Sequence, residues 1–193
     1  METIDSWFLV KIQSNKEPTM KRKTFMNVGL TAFFLFLASS IFVAFLYQIL
    51  FSAKTLFPDR SNVVVFVNSS GSEASSVAQY AAAAKGSLKL NVQVIGIADF
   101  SKVASSAPQY LKSASDYVVI ISDNAVFNTM GKKFVIQKAM LKKIPVVTDK
   151  EEDFESGACY IFGTQKLVNS KVAGLLGVSI PDSMKSDPTV TVR

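Results

Sequence analysis

The hydrophobic pattern divides the chain into an apolar segment near the N-terminus and a longer segment of alternating apolar and polar stretches. From Phe25 to Phe51 no residue is charged and nearly all are apolar. A run of about 20 apolar residues matches the hydrocarbon core of a bilayer. The pattern therefore predicts a transmembrane signal-anchor helix over 25–51, a cytoplasmic tail over 1–24 and a linker over 52–61.

A cleaved secretory signal is the alternative interpretation of this segment. Signal sequences have an apolar region of about 7 to 15 residues followed by a cleavage site between small residues. The apolar run here is longer, and Phe51-Ser52-Ala53 has a large residue at its first position. These features favour an uncleaved helix that crosses the membrane once.

Basic residues around the apolar run predict its orientation. Five precede it, whereas only two, Lys54 and Arg60, follow it within about 15 residues. The early ones are Lys11, Lys16, Lys21, Arg22 and Lys23. Because Lys and Arg resist translocation, we expect the N-terminus in the cytoplasm and the rest of the chain in the periplasm or another extracytoplasmic space.

Beyond residue 61, short apolar runs alternate with longer mixed segments. The runs, which are typical of strands buried on both faces, are 63–67, 92–97, 117–121, 144–148 and 158–162. Between and after these runs lie segments with the length and the spacing of apolar residues that helices have, over 73–85, 101–113, 125–143 and 169–176. Alternating strands and helices predict one α/β lobe over 62–193, with a doubly wound, Rossmann-like parallel sheet.

The composition excludes several classes of function. The chain has no histidine and one cysteine, Cys159, so catalytic pairs that need histidine, His-ligated zinc and internal disulfides are ruled out. We expect no enzyme activity, no metal and no cofactor. The net charge of +6 is spread along the chain. Five lysines within 132–143 wrap around a predicted helix without interleaved aromatic residues, which indicates a solvated face and no nucleic-acid binding.

Polar loops follow three of the predicted strands. Ligands of open parallel sheets bind beyond the carboxyl ends of the strands, so these loops are the candidate site. The candidate residues are Ser69, Ser70, Glu73, Ser75, Ser76, Asp123, Asn124 and Asp149. Hydroxyls and a helix N-terminus suit an anion, although Ser70 and Glu73 also fit a capping box. Asp123 and Asp149 fit either helix N-caps or partners of a ligand ammonium group.

The motifs, taken in order, resemble a family of ABC-transporter substrate-binding proteins, some of which bind tryptophan, phenylalanine or other amino acids. The resemblance rests on VVFVNSSGSEASSVAQ at 64–79, SDYVVI at 115–120 with SDNAV at 122–126, KIPVV at 143–147, SGA at 156–158 and NSKVAGLLGVSIP at 169–181. It implies a periplasmic-binding-protein fold and a transport-related role in binding or sensing an amino acid or similar small molecule.

Members of that family have two lobes, and every match here belongs to the second. The resemblance therefore implies a single lobe. Its site would be completed by a second copy in a homodimer or by another subunit that carries a first lobe, or would stay incomplete, and ABC-transporter-type membrane subunits are further expected partners. It also implies that the serines receive an anionic group of the ligand, while Asp123, Asn124 and Asp149 receive an ammonium or polar group. The alternative is a ligand-free module that docks a partner, or itself, through the former inter-lobe face.

Overall fold

The computed structural model describes residues 45–71, 73–112 and 116–193. The first described element is a helix over 45–56, here called α1. Its apolar positions recur at helical spacing, and Leu46, Ile49, Leu50, Ala53 and Leu56 are buried in the core of the lobe. The helix therefore contributes one face to the packing of the α/β domain.

The structure differs here from the boundaries expected between membrane helix, linker and lobe. Residues 25–44 of the predicted membrane helix lie outside the described residues, whereas 45–51 pack within the lobe. The first part of the predicted linker continues the same helix to residue 56. In the described part of the chain, no helix has both the length and the hydropathy needed to cross a bilayer.

Seven strands form one sheet in the order β2-β1-β3-β4-β5-β6-β7. Their bounds are β1 Asn62–Asn68, β2 Asn91–Ile97, β3 Tyr117–Ile120, β4 Val146–Thr148, β5 Tyr160–Phe162, β6 Lys166–Val168 and β7 Val190–Val192. All neighbours pair in parallel except β5 and β6. The predicted α/β lobe with a mostly parallel sheet is thus confirmed, and the antiparallel strand β6 and the edge strand β7 are additions to it.

The described part of the chain has five helices after α1, of which the first four lie close to the predicted positions and the last was not predicted. They are α2 Glu73–Ser87, α3 Val103–Tyr110, α4 Thr129–Leu141, α5 Ser170–Leu175 and α6 Asp182–Lys185, with 3-10 turns at Phe100–Lys102 and Glu151–Asp153. Side chains of the central strand β1 alternate between two cores. Val63, Val65 and Val67 belong to the core that contains α1, while Val64 and Phe66 belong to the core that contains α3 and α4.

Helix α4 begins four residues later than its apolar pattern suggests. The Asp123 carboxylate accepts hydrogen bonds from the backbone amides of residues 125–127, which holds them in a bend. The helix starts only after Asn128, whose side-chain oxygen accepts from the amides of Met130 and Gly131 at 3.1 Å each. This delay places the first turn of α4 beside the carboxyl ends of β3 and β4.

Candidate ligand-binding cleft

A cleft of about 730 Å³ lies at the carboxyl ends of β3 and β4. It is lined by Ser122, Asp123, Asn124, Phe127, Asn128, Thr129, Lys132, Lys150 and Glu152. Phe127 is completely buried, and the surface offered to a ligand is predominantly polar. The volume is of the size that small-molecule sites usually have.

Asp123 organises the loop on one side of the cleft. Its Oδ1 accepts from the amides of Ala125 and Val126 at 2.7 Å, and its Oδ2 accepts from Phe127 at 3.0 Å. The side-chain nitrogen of Asn68, Nδ2, lies 3.4 Å from Oδ1 and donates to it. The carboxylate thus holds the loop after β3 in its bend, and its bond from Asn68 joins this loop to the end of β1.

Asp149 joins the loops after β3 and β4. Its Oδ1 accepts from the backbone amide of Ser122 at 3.1 Å and from the Ser122 hydroxyl. The side chain is therefore neither the N-cap of a helix nor a lining residue of the cleft, and it fixes Ser122 at the edge. Asn124 is exposed in the bend and does line the cleft.

The loop after β1 lies next to this cleft and does not line it. The Asn68 side-chain oxygen accepts from the amide of Ser70 at 2.9 Å, and the Ser70 hydroxyl donates to the carbonyl of Ala98 at 3.4 Å. The amide of Ser69 donates to the carbonyl of Ile97. The side chains of Glu73, Ser75 and Ser76 lie outside the described residues, so their predicted part in the site stays a prediction.

Lys132 is the unexpected member of the cleft. It sits in the first turns of α4, only 1% exposed, with its ammonium 3.0 Å from Asp153 Oδ2 and 3.2 Å from Glu152 Oε1. The expectation that the lysines of this segment form a solvated helix face is therefore wrong for Lys132. Burial of a lysine ammonium requires ionic partners, and the short turn after β4 supplies both of them.

The two carboxylates beside Lys132 have opposite pKa shifts. Burial raises the pKa of Asp153, an effect that the Lys132 ammonium and the Thr148 hydroxyl oppose. Hydrogen bonds from Thr129 and Lys132 lower the pKa of the largely exposed Glu152, which is therefore anionic at neutral pH. The Thr129 hydroxyl lies 3.0 Å from Glu152 Oε1.

The charges around the cleft have a negative surplus. Two carboxylates, Asp123 and Glu152, line the cleft together with the ammonium groups of Lys132 and Lys150. Two more, Asp149 and Asp153, do not line it but contact the lining residues Ser122 and Lys132. With Asp153 ionised, four carboxylates surround two ammonium groups. This balance favours a ligand that carries a positive group. In the described ranges, no three Cys, Asp or Glu side chains are grouped so that they could hold a metal ion.

Sequence reasoning located part of this site. It placed Asp123, Asn124 and Asp149 at the correct edge, because the carboxyl ends of parallel strands lie together. It missed Thr129, Lys132, Lys150 and Glu152. The signal that could have found them is the acidic triplet Glu151-Glu152-Asp153 after β4, which needs a cation nearby once the turn packs against α4.

Comparisons with known proteins identify relatives of this fold. The family model described as ABC transporter substrate binding protein matches residues 48–189. A comparison with curated proteins gives no match. A conserved domain protein from Vibrio cholerae O1 biovar El Tor superposes with a TM-score of 0.66 at 17% identity, over 76% of this chain and 59% of that one.

Two further solved structures share the fold. An ABC domain from Streptococcus pneumonia in complex with L-Trp has a TM-score of 0.61 at 17% identity, over 72% of this chain and 57% of that one. A ligand-free, open substrate-binding protein with adhesive properties from Clostridium difficile has a TM-score of 0.56 at 17% identity, over 72% of this chain and 56% of that one.

The chain thus spans between 56% and 59% of the length of these three solved structures. The family match covers the whole sheet up to the last turn before β7 and begins within α1. The resemblance seen in the sequence motifs is confirmed over this range. The chain belongs to the ABC transporter substrate-binding protein family, and it carries a substrate-binding-protein-like α/β lobe.

Proposed function

We propose that this lobe binds a small polar molecule, an amino acid or a similar zwitterion, in the cleft at the carboxyl ends of β3 and β4. The observation that carries the proposal is the cleft itself. Its polar loops are held in place by the Asp123 and Asp149 carboxylates, so it needs little reorganisation to receive a ligand. The L-Trp complex of a structural relative supports the amino-acid class.

The roles of the cleft residues follow from their bonds. Asp123 and Asp149 position the loops, and Asn124 presents its amide to the ligand. For the anionic group of the ligand we propose the neighbouring loop after β1, with Ser69, Ser70, Ser75 and Ser76 and the backbone amides at the start of α2. Glu73, the first residue of that helix, is proposed as a polar contact of the ligand and not as a partner of its anionic group. The bond between Asn68 and Asp123 keeps that loop beside the cleft, within reach of one small molecule.

We further propose that the lobe is anchored to a membrane and works outside the cytoplasm in transport or sensing. The uncharged residues 25–44 would span about 30 Å as a helix, enough for the hydrocarbon core, and would lead directly into α1. Because the chain spans only part of its structural relatives, a second copy or membrane subunits of an ABC transporter would complete the site.

A docking module is the second candidate function. Two apolar side chains are exposed at the same edge of the sheet as the cleft, Phe100 at 41% and Met130 at 71%. Both belong to the surroundings of the first turn of α4, because Met130 is its second residue and a Cβ added to Gly131 would lie 3.6 Å from the Phe100 ring. Exposed apolar residues that cluster beside a polar cleft are a feature of protein interfaces.

Ligand-observed NMR on the full chain in lipid nanodiscs tests the first proposal against the second. The twenty amino acids are presented at about millimolar concentration, because a single lobe leaves much of a ligand in water. We expect saturation transfer to a subset of them. Asn124→Ala should weaken that binding about 2- to 10-fold through a lost hydrogen bond.

The matched control is Gln137→Ala, an exposed residue of α4 that does not line the cleft. It should bind as the wild type does. If no amino acid binds the folded chain, the binding function is refuted. Association of the chain that is abolished by Phe100→Ser with Met130→Ser would then support the docking module.

A further inference from the structure

The charge preference of the cleft depends on how Lys132 is neutralised. The ammonium reaches two carboxylates from consecutive residues, Asp153 at 3.0 Å and Glu152 at 3.2 Å. One carboxylate suffices to balance one buried ammonium. The second is therefore a surplus negative charge at the floor of the cleft.

The two carboxylates differ in their access to a ligand. Asp153 is 0% exposed and belongs to the interior, where it forms the buried half of the ion pair. The Glu152 side chain is 54% exposed and lines the cleft. The surplus charge thus lies on the residue that faces a bound molecule.

The hydrogen bonds of Glu152 hold it in this position. Its Oε1 accepts from the Thr129 hydroxyl at 3.0 Å and from the Lys132 ammonium at 3.2 Å. Both bonds end on Oε1 of a side chain that lines the cleft. Lys132 is only 1% exposed although it lines the cleft, and its ammonium contacts the carboxylate of the more exposed Glu152.

From this arrangement we infer that Glu152 is a specificity-determining residue of the lobe, which receives the ammonium group of the ligand and shields Lys132 from anions. The inference rests on the proposed function and names two residues, Glu152 and Lys132, to which the sequence motifs assign no role. It predicts a ligand order in which cations and zwitterions bind and pure anions are rejected.

Removal of the Glu152 charge should weaken this preference for cations over anions. Glu152→Gln keeps the length of the side chain and an oxygen that can accept from Thr129 and Lys132. The charged lining residues are then Asp123, Lys132 and Lys150. Asp153 still balances Lys132 in this variant, and the Asp123 carboxylate is engaged by three backbone amides, so the variant loses the surplus negative charge that faces a ligand.

The experiment compares three forms of one small molecule on the full chain in nanodiscs. L-alaninamide is a cation, L-alanine a zwitterion and N-acetyl-L-alanine an anion at about pH 6.5. Ligand-observed NMR titration at low salt gives the ratio of cation to anion affinity. We expect the wild type to favour the cation, and Glu152→Gln to lower this ratio at least about 5-fold.

Glu151→Gln is the matched control. Glu151 precedes Glu152 in the same turn, pairs with Arg193 at 3.6 Å and does not line the cleft. It removes the same charge from the chain, so an effect of net charge alone would appear in both variants. The ratio should stay at the wild-type value in Glu151→Gln.

A salt titration of the wild type gives an independent measurement that needs no variant. Affinity for L-alaninamide should fall as ionic strength rises, because the Glu152 charge is partly exposed and is screened. Affinity for N-acetyl-L-alanine should not fall in parallel. An equal loss for both forms would overturn the inference.

The remaining outcomes separate the inference from the proposed function. If the wild type binds none of the three forms, nor the corresponding forms of tryptophan, the proposed function fails and the inference fails with it. If the wild type binds them, and Glu152→Gln keeps the wild-type ratio or changes all affinities by one factor, the function stands and the role of Glu152 is overturned.

Discussion

Lys132→Met tests whether the buried ion pair behind the cleft is organised as described. The substitution keeps an unbranched side chain of similar length and removes the charge. It leaves the Asp153 carboxylate, which is 0% exposed, without its cation. Breaking a buried pair by removing one partner costs about 3–5 kcal/mol. For a chain of this size, that corresponds to a fall in Tm of about 6–20 °C.

The effect should depend on pH with a defined sign. Burial already raises the pKa of Asp153, and loss of the Lys132 ammonium, which opposes that rise, would raise it further. A carboxyl with a higher pKa in the folded than in the unfolded state binds protons more tightly when folded. The stability of Lys132→Met should therefore fall as the pH rises from about 4 through the folded pKa, and recover in acid.

Thermal unfolding of the full chain in detergent, followed by circular dichroism across this pH range, measures the effect. Lys133→Met is the control, since Lys133 is exposed on the same helix and its loss should cost less than about 0.5 kcal/mol. Lys132→Met with Asp153→Asn should be more stable than Lys132→Met alone. An equal or larger loss in the double variant, without pH dependence, would refute the reasoning.

Three further predictions concern other parts of the lobe. Gly157 has φ +100°, and an added Cβ would lie 2.3 Å from the Met140 sulfur, so Gly157→Ala should lower the Tm. Gly174 is the control, because a Cβ added there would meet open space, and Gly174→Ala should raise or preserve the Tm. Burial raises the pKa of the Cys159 thiol to about 12, so a maleimide should label this cysteine at about pH 8 only after the protein is denatured. Rapid labelling of the folded protein would contradict this prediction. In Asp123→Ala, the amides of 125–127 lose their acceptor and should exchange hydrogen at least about 10-fold faster; unchanged exchange would show that the bend does not need the carboxylate.

The apolar runs of the sequence were sufficient to predict five strands of the sheet. Val63 to Val67 is typical of a strand buried on both faces, because five consecutive β-branched or aromatic side chains need partners on both sides. Parallel strands joined by helices then follow from the lengths of the connections. The short connection after β5 leaves no room for a crossover, so Lys166–Val168 returns as an antiparallel strand. Its three residues are too few to show a period.

Local sequence also determined which loops lie at the ligand edge, since that depends only on strand direction. It could not determine what each polar side chain bonds to. Asp123 has the same local sequence whether it caps a helix, binds a ligand or holds a bend. Its bonds to the backbone amides of residues 125–127 hold the bend, and its bond from Asn68 Nδ2 forms only when β1 and β3 lie side by side.

Only the tertiary structure determines the environment of two parts of the chain, the segment 45–56 and the side chain of Lys132. The apolar face of 45–56 suits either a bilayer or a protein core, because both environments are apolar. In this fold the face packs against one side of the sheet and becomes part of the core. Lys132 looks like any other lysine of an amphipathic helix until Glu152 and Asp153 pack against it. Hydropathy and spacing are local properties of the chain, whereas the neutralisation of a buried charge depends on residues that are distant in sequence and adjacent only in the fold.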